Sequence, residues 1–154
     1  MKQHILIVDG DPLALTYHEH ILSQHFSVET ATSAEDALAR LRQNGPFAVV
    51  VSDLFLPTRG GKSFLAKVQR LCPDIVNIVL AANPTPETIM GAINENHVFG
   101  FFCKTAPPAE LIRKIRAALE HHRHQSGLRL PYGKNVLTSE ERDYLHDLTS
   151  SWPC

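Results

Sequence analysis

Runs of apolar residues without polar alternation recur along this chain at strand length. The first, His4-Ile5-Leu6-Ile7-Val8, closes on Asp9-Gly10-Asp11-Pro12; the second, Ala48-Val49-Val50-Val51, leads into Ser52-Asp53-Leu54-Phe55-Leu56-Pro57. Two more follow at Ile75 to Ala81 and at Phe99 to Cys103. Unbroken runs of this kind predict strands buried on both faces of a sheet. Ser27 to Ala31 is partly polar and reads as a strand near an edge.

Between these runs the apolar period changes to that of a helix. Pro12 opens the first one, which carries Leu15, Ile21 and Leu22 inward and is expected to reach about Phe26. Ser33 caps the second, with Asp36 three residues on and Ala34, Ala37, Leu38 and Leu41 at i, i+3, i+4 and i+7 spacing. Phe64, Leu65, Val68 and Leu71 mark a third, stopped by Cys72-Pro73-Asp74. Thr85-Pro86-Glu87 starts a fourth, with Ile89, Ala92 and Ile93 inward. Pro107-Pro108 opens a fifth, with Leu111, Ile112, Ile115 and Leu119 inward and His121, His122 and His124 near its end. Strands alternating with helices predict an α/β domain with a parallel sheet covered on both faces.

After residue 124 the rhythm breaks. Gln125 to Asn135 is rich in turn formers, and Thr138-Ser139-Glu140-Glu141 then makes a capping box. A short helix over about 138–149 is expected, with Tyr144, Leu148 and Trp152 on one stripe, packed against its own domain in preference to a partner. The organisation is therefore one domain over 1–124 and a tail over 125–154.

Composition narrows the picture. The chain has 154 residues, enough to bury a core without staples, and a formal charge of −1 from 15 basic and 16 acidic residues. Its cations are scattered, so direct nucleic-acid binding is not expected. Three cysteines without CxxC spacing indicate neither a disulfide framework nor a zinc site and fit a reducing cytoplasm. No secretory pattern opens the sequence and no apolar run approaches about 18 residues, so a membrane span is not expected. His18, His20 and His25 read as surface or boundary residues, His121, His122 and His124 as a solvated helix end, and Phe99, Phe101 and Phe102 as strand core.

The chemistry gathers where strands end. In open α/β sheets ligands bind outside the carboxyl ends of the strands. Asp9 and Asp11 follow the first strand, Asp53 the third and Lys104 the fifth. Clustered carboxylates repel unless a cation intervenes, a hard divalent ion prefers oxygen ligands, and a rim lysine supplies a mobile positive charge for a phosphoryl group. Such a set can form an acyl phosphate on one of its carboxylates.

These residues resemble the receiver domain of bacterial two-component response regulators, of the chemotaxis-regulator type. The likeness lies in Ile5-Leu6-Ile7-Val8-Asp9 with Asp11-Pro12, in Val51-Ser52-Asp53-Leu54-Phe55-Leu56-Pro57 with Gly60 or Gly61, and in Gly100-Phe101-Phe102-Cys103-Lys104. The stretch from Ala92 to Lys104 looks especially like receivers attached to phosphohydrolase domains of the cyclic-di-GMP-degrading kind. The resemblance implies a flavodoxin-like, doubly wound five-stranded sheet of order 2-1-3-4-5. It implies that Asp53 accepts a phosphoryl group from a histidine kinase or phosphotransfer protein and that Lys104 contacts the phosphoryl oxygens. Asp9, Asp53 and the Phe55 carbonyl would hold Mg2+. The chain would be a phosphoacceptor with autodephosphorylation, not a turnover enzyme. Phe101 matches the aromatic switch position. The surface of the fourth helix, fifth strand and fifth helix would meet an output protein or a second copy.

Three departures stand out. Gly10 occupies the place of the family's second acid, leaving Asp11 as a substitute ligand and Mg2+ binding weaker than usual. Ala81 replaces the switch hydroxyl at the end of the fourth strand. Thr105 replaces the proline after the lysine, putting the family's cis peptide there in question. Two alternatives follow: a degenerate receiver acting as a phosphorylation-independent interaction module, and, a distant third, a haloacid-dehalogenase-type phosphohydrolase built on Asp9-Gly10-Asp11.

Overall fold

The computed structural model describes residues 4–53, 56, 61–82, 85–87, 90 and 98–136, with residues 61–63 and 126–136 as backbone only. Its elements run β1 (His4–Val8), α1 (Pro12–Leu22), β2 (Ser27–Ala31), α2 (Ala34–Asn44), β3 (Val49–Asp53), α3 (Gly61–Leu71), β4 (Val76–Ala81), β5 (Gly100–Cys103) and α4 (Pro108–Val136). The strands make one parallel sheet in the order β2-β1-β3-β4-β5. The flavodoxin-like topology read from the sequence is therefore the observed one, with the partly polar β2 at an edge and β3 in the centre.

Because successive side chains of a strand point to opposite faces, each buried run feeds two cores. Ile5, Ile7, Val49, Val51, Ile78 and Leu80 pack with Leu15 and Leu22 of α1 and with Leu111, Ile115 and Leu119 of α4. Leu6, Val8, Val50 and Val79 pack on the other face with Ala37 and Leu41 of α2 and Phe64, Leu65 and Val68 of α3. The caps are those the sequence indicates. Ser33 Oγ accepts from Asp36 N at 3.1 Å, and Asp11 Oδ1 accepts from Leu13 N at 3.0 Å.

Several expectations are corrected. Helix α1 ends at Leu22, and the chain to Phe26 turns back on it, with His25 N and Phe26 N both bonded to the Leu22 carbonyl. His18 is buried because it shares the inward face of α1 with Leu15 and Leu22. Phe99 precedes β5 and is 41% exposed, whereas Phe102 is core. Helix α4 continues to Val136 through Gly127, Pro131 and Gly133, where a loop was expected. Glycine and proline lower helix stability without forbidding the helix, so composition overstated the break. Cys72 is disulfide-bonded, against the expectation from cysteine spacing, which reads frameworks and not single bridges. The inward residues Ile89, Ala92 and Ile93 and the tail helix with Tyr144, Leu148 and Trp152 lie outside the described residues, as do Leu54, Phe55 and Pro57 to Gly60.

Candidate functional site

The sheet delivers three charged side chains to one place. Asp9 follows the last residue of β1, and its amide bonds to the Ala31 carbonyl of β2 at 3.1 Å. Asp53 ends β3, in register with Leu80 of β4. Lys104 follows β5, and its amide bonds to the Ala81 carbonyl at 2.9 Å, which ties the ends of β4 and β5 together. Parallel strands of similar length thus present all three at their carboxyl ends, as the alternation of elements predicts.

Lys104 Nζ lies 3.0 Å from Asp9 Oδ2 and 3.2 Å from Asp53 Oδ2. The Asp9 side chain is fully enclosed, and those of Asp53 and Lys104 are 14% and 19% exposed. Asp9 Oδ1 accepts from Asp11 N at 2.9 Å, but its buried Oδ2 has no partner of hydrogen-bond geometry; the ammonium meets it as an ion pair. Burial pulls the Lys104 ammonium toward neutrality, but its close contact with Asp9 and the negative charges of Asp53 and Asp9 more than reverse this. Lys104 therefore titrates above the ordinary lysine value.

Asp11 is placed differently. It is exposed, occupies the N-cap of α1 and gives one carboxylate oxygen to the helix. Gly10 brings no side chain to the rim. Among the described residues no group of three or more His, Cys, Asp or Glu side chains could hold a metal. What remains is a two-carboxylate pocket whose buried Asp9 Oδ2 is met by the Lys104 ammonium, a donor set that suits a hard divalent ion such as Mg2+ once the ammonium gives way. Asp9 and Asp53 fit that ion; the Phe55 carbonyl lies outside the described residues.

The neighbours of the pocket bear on its switching. Ala81 is fully buried and stands opposite Cys103 in the β4–β5 register, with a methyl where a hydroxyl would be needed. Phe101 is half-buried against the α3 side of the sheet, and its carbonyl accepts from Lys114 Nζ of α4. Among the described residues the one cis peptide is Gly45–Pro46, so Lys104–Thr105 is not cis.

Two residues escaped the sequence reading. Cys103 is a free thiol whose Sγ lies 3.0 Å from Thr105 Oγ1, and bonding to Thr105 holds it below the usual thiol value. Only its place beside Lys104 could have marked it. His18 is 5% exposed and its Nδ1 has no partner of hydrogen-bond geometry. Burial lowers its pKa; the Ala14 carbonyl and the Asp9 charge push it up, and Lys104 lowers it further, so it lies within electrostatic reach of the pocket. The helical phase with Leu15 and Leu22 was the available signal.

Two acids and a lysine thus meet at the carboxyl ends of a parallel α/β sheet of order 2-1-3-4-5. Comparison with known proteins gives the family. The model for the response regulator receiver domain matches residues 5–116. The hydrogenase transcriptional regulatory protein HoxA of Cupriavidus necator is 31% identical over 116 residues, 75% of this chain and 24% of that protein. The receiver domain of an HD domain-containing protein from Pseudomonas fluorescens Pf-5 is 29% identical with a TM-score of 0.75, covering 80% of this chain and 99% of that one. A CheY-like receiver domain protein from Methanospirillum hungatei JF-1 is 27% identical with a TM-score of 0.73, covering 81% and 99%. The chain belongs to the response regulator receiver domain family, the module of phosphorelay signal transduction. It spans about a quarter of the length of the curated relatives it matches. Neither the phosphorylation-independent module nor the phosphohydrolase is favoured by these matches. Receiver domains in general are non-enzymatic phosphoacceptors that bind Mg2+ at an acidic pocket.

Proposed function

We propose that Asp53 is the phosphoacceptor of this receiver and that Lys104 is the cation that meets the arriving phosphoryl group. The observation that supports this reading most is the single ammonium shared by Asp9 Oδ2 and Asp53 Oδ2. In the transfer, a carboxylate oxygen of Asp53 forms the new O–P bond as the N–P bond of a phosphohistidine breaks, and the released imidazole nitrogen keeps the electron pair and takes a proton. A histidine kinase or phosphotransfer protein is the donor. Lys104 then pairs with a phosphoryl oxygen in a charge-assisted contact in place of part of its two-way hold on the carboxylates.

Mg2+ would be held by Asp9, Asp53 and the Phe55 carbonyl, and when bound it neutralises charge on the transferring group. We assign Asp11 to helix capping, so this receiver holds the ion with two carboxylates and binds it more weakly than a three-acid pocket. Autodephosphorylation follows from the same geometry: water attacks phosphorus, the aspartyl O–P bond breaks, and the carboxylate and inorganic phosphate are restored.

Output runs through the surface of β5 and α4 with the segment after Thr85 that the sequence predicts to be helical, meeting an effector or a second copy. Ala81 leaves the coupling of that surface to the phosphoryl group weak. The receiver extends to about residue 124, a point within α4, which carries the chain on to Val136. A cytoplasmic setting fits the family, and no helix of the described residues is long and apolar enough to cross a membrane.

The test is intact mass after incubation with acetyl phosphate and Mg2+. One phosphoryl adduct is expected, absent from Asp53→Asn. An adduct at full level in that variant overturns the assignment.

A further inference from the structure

At the end of the sheet opposite the charged pocket, the amino ends of β4 and β5 border a cavity of about 470 Å3, whose lining includes Gln69, Pro73, Ile75, Asn77, Phe99 and His121. The turn from Cys72 to Ile75 shapes part of its wall. Cys72 follows the last residue of α3, its amide bonds to the Val68 carbonyl at 2.8 Å, and its own carbonyl accepts from Ile75 N at 3.0 Å. The lining also holds an aromatic pair, the Phe99 and His121 rings 5.2 Å apart.

The bond at Cys72 shows what this turn is tied to. The chain has three cysteines, Cys72, Cys103 and Cys154, and the structure is of one chain. Cys72 is disulfide-bonded and Cys103 is a free thiol. Cys72 is also fully buried, whereas half of a bridge to another molecule has to reach the surface. The sulfur left to pair with it is that of Cys154, the last residue of the sequence. A disulfide holds its two Cα atoms about 4.4–6.8 Å apart, and Trp152 stands two residues before Cys154, at most about 7 Å from it along the chain. Such a bond brings the only tryptophan of the chain beside Pro73 and the cavity.

Chain length agrees. From Gln125, which also lines the cavity, α4 runs on to Val136, roughly 17 Å at about 1.5 Å per residue. The tail has to return over that distance to reach Cys72. The helix expected over 138–149 would cover about 18 Å at the same rise, so an antiparallel return along α4 delivers residues 150–154 to the cavity.

We propose that the C-terminal tail folds back on its own receiver, with Cys154 as the disulfide partner of Cys72 and Trp152 seated in the cavity at the amino ends of β4 and β5. The cavity lies within the roughly 300–1,000 Å3 of small-molecule sites, which is room enough for an indole ring. The seat is thiol-gated. With a small disulfide such as oxidised glutathione, the Cys154 thiolate attacks one sulfur and releases one glutathione thiolate; the Cys72 thiolate then attacks the Cys154 sulfur of the mixed disulfide and releases the second. Two protein thiols become one S–S bond, and the two released thiolates take up the protons. A dithiol reductant reverses this by closing to its own disulfide, and in a reducing compartment single bridges of this kind are redox-responsive.

The full chain, equilibrated with a glutathione redox buffer, is alkylated in denaturant and mapped by mass after proteolysis. A linked peptide pair carrying Cys72 and Cys154 is expected, lost after dithiothreitol with all three cysteines then alkylated. Trp152 reports the seat by its emission, blue-shifted in the bridged chain and moved to the red in Cys154→Ser, a change at the end of the tail that leaves the core intact. In the bridged chain Trp152→Ser should shift the amide resonances of Val98, Phe99 and His121 and leave those of Asp9, Asp53 and Lys104 in place. A Cys72 that is alkylated or joined only to glutathione in every buffer, a bridge between two copies of the chain, a water-exposed Trp152 emission in the bridged chain, or Trp152→Ser shifts confined to the tail would each overturn the proposal.

Discussion

Lys104 Nζ stands 3.0 Å from an Asp9 oxygen that has no hydrogen-bond partner inside a fully closed side-chain environment. The lysine is therefore what makes ionised Asp9 tolerable in the resting fold, because a buried carboxylate without a cation is strongly destabilising.

Lys104→Met should accordingly lower stability by about 2–3 kcal/mol in urea unfolding at neutral pH, below the 3–5 kcal/mol of a fully buried pair because the ammonium is partly open to water. Asp53→Asn should act in the opposite direction or leave stability unchanged, since it removes one of two acids crowding a single cation. Millimolar Mg2+ should recover more stability in Lys104→Met than in the unaltered chain. Equal stability of all three proteins without metal would show that the ion pairs contribute nothing.

Stability should fall at both ends of the pH scale for different reasons. Lys104 titrates above its unfolded value, so its contribution is fully present below the unfolded pKa of about 10.4 and lost as pH rises through the folded one. His18 titrates below its unfolded value, so stability is full above about pH 6.5 and lost as pH falls from there through its folded pKa. Burial likewise holds His122 low, with the Asp74 charge opposing it, so it adds to the same acid-side loss. Melting temperature against pH should flatten on the alkaline side in Lys104→Met and partly on the acid side in His18→Leu. An acid limb unchanged by His18→Leu would place that loss elsewhere.

Asp11→Ala removes a helix cap and should cost about 1 kcal/mol of stability while leaving Mg2+ affinity by calorimetry within about twofold. Gly10→Asp should tighten Mg2+ binding and destabilise the metal-free fold by adding a third acid. A large loss of Mg2+ affinity in Asp11→Ala would make Asp11 a metal ligand after all.

Beryllofluoride should shift amides around Asp53 and Lys104 but leave Phe101 and α4 nearly unmoved. The Ala81 methyl offers the phosphoryl group no hydrogen bond, and a ligand moves an equilibrium only by its differential affinity for the two states. Large shifts at Phe101 and along α4 would show a coupling route that does not pass through the end of β4.

The sheet was legible because its information is local and redundant. Val49, Val50 and Val51 announce a two-sided strand, and Asp9, Asp53 and Lys104 acquire a common address once three such strands are parallel. What escaped depends on side-chain direction or on context. His18 looked like one of several polar residues of α1, and only its helical phase shows that it turns inward with Leu15 and Leu22. Asp11 could be ligand or cap until the entry angle of α1 gave one of its oxygens to Leu13 N. Asn77 was invisible inside an apolar run, since one polar residue does not alter the pattern that identifies β4.

Ala81 also bears on reversibility. With no exposed surface, its methyl is surrounded by neighbours that have closed around it. A threonine there would need room for two further heavy atoms, and overpacking of that kind costs about 1–3 kcal/mol. The missing hydroxyl is therefore not a single step from recovery: a lineage returning to the family pattern would have to shrink a neighbour first, and the intermediates would be either crowded or hollow. For as long as those neighbours stay as they are, the sterics at the end of β4 work as a ratchet against regaining the switch.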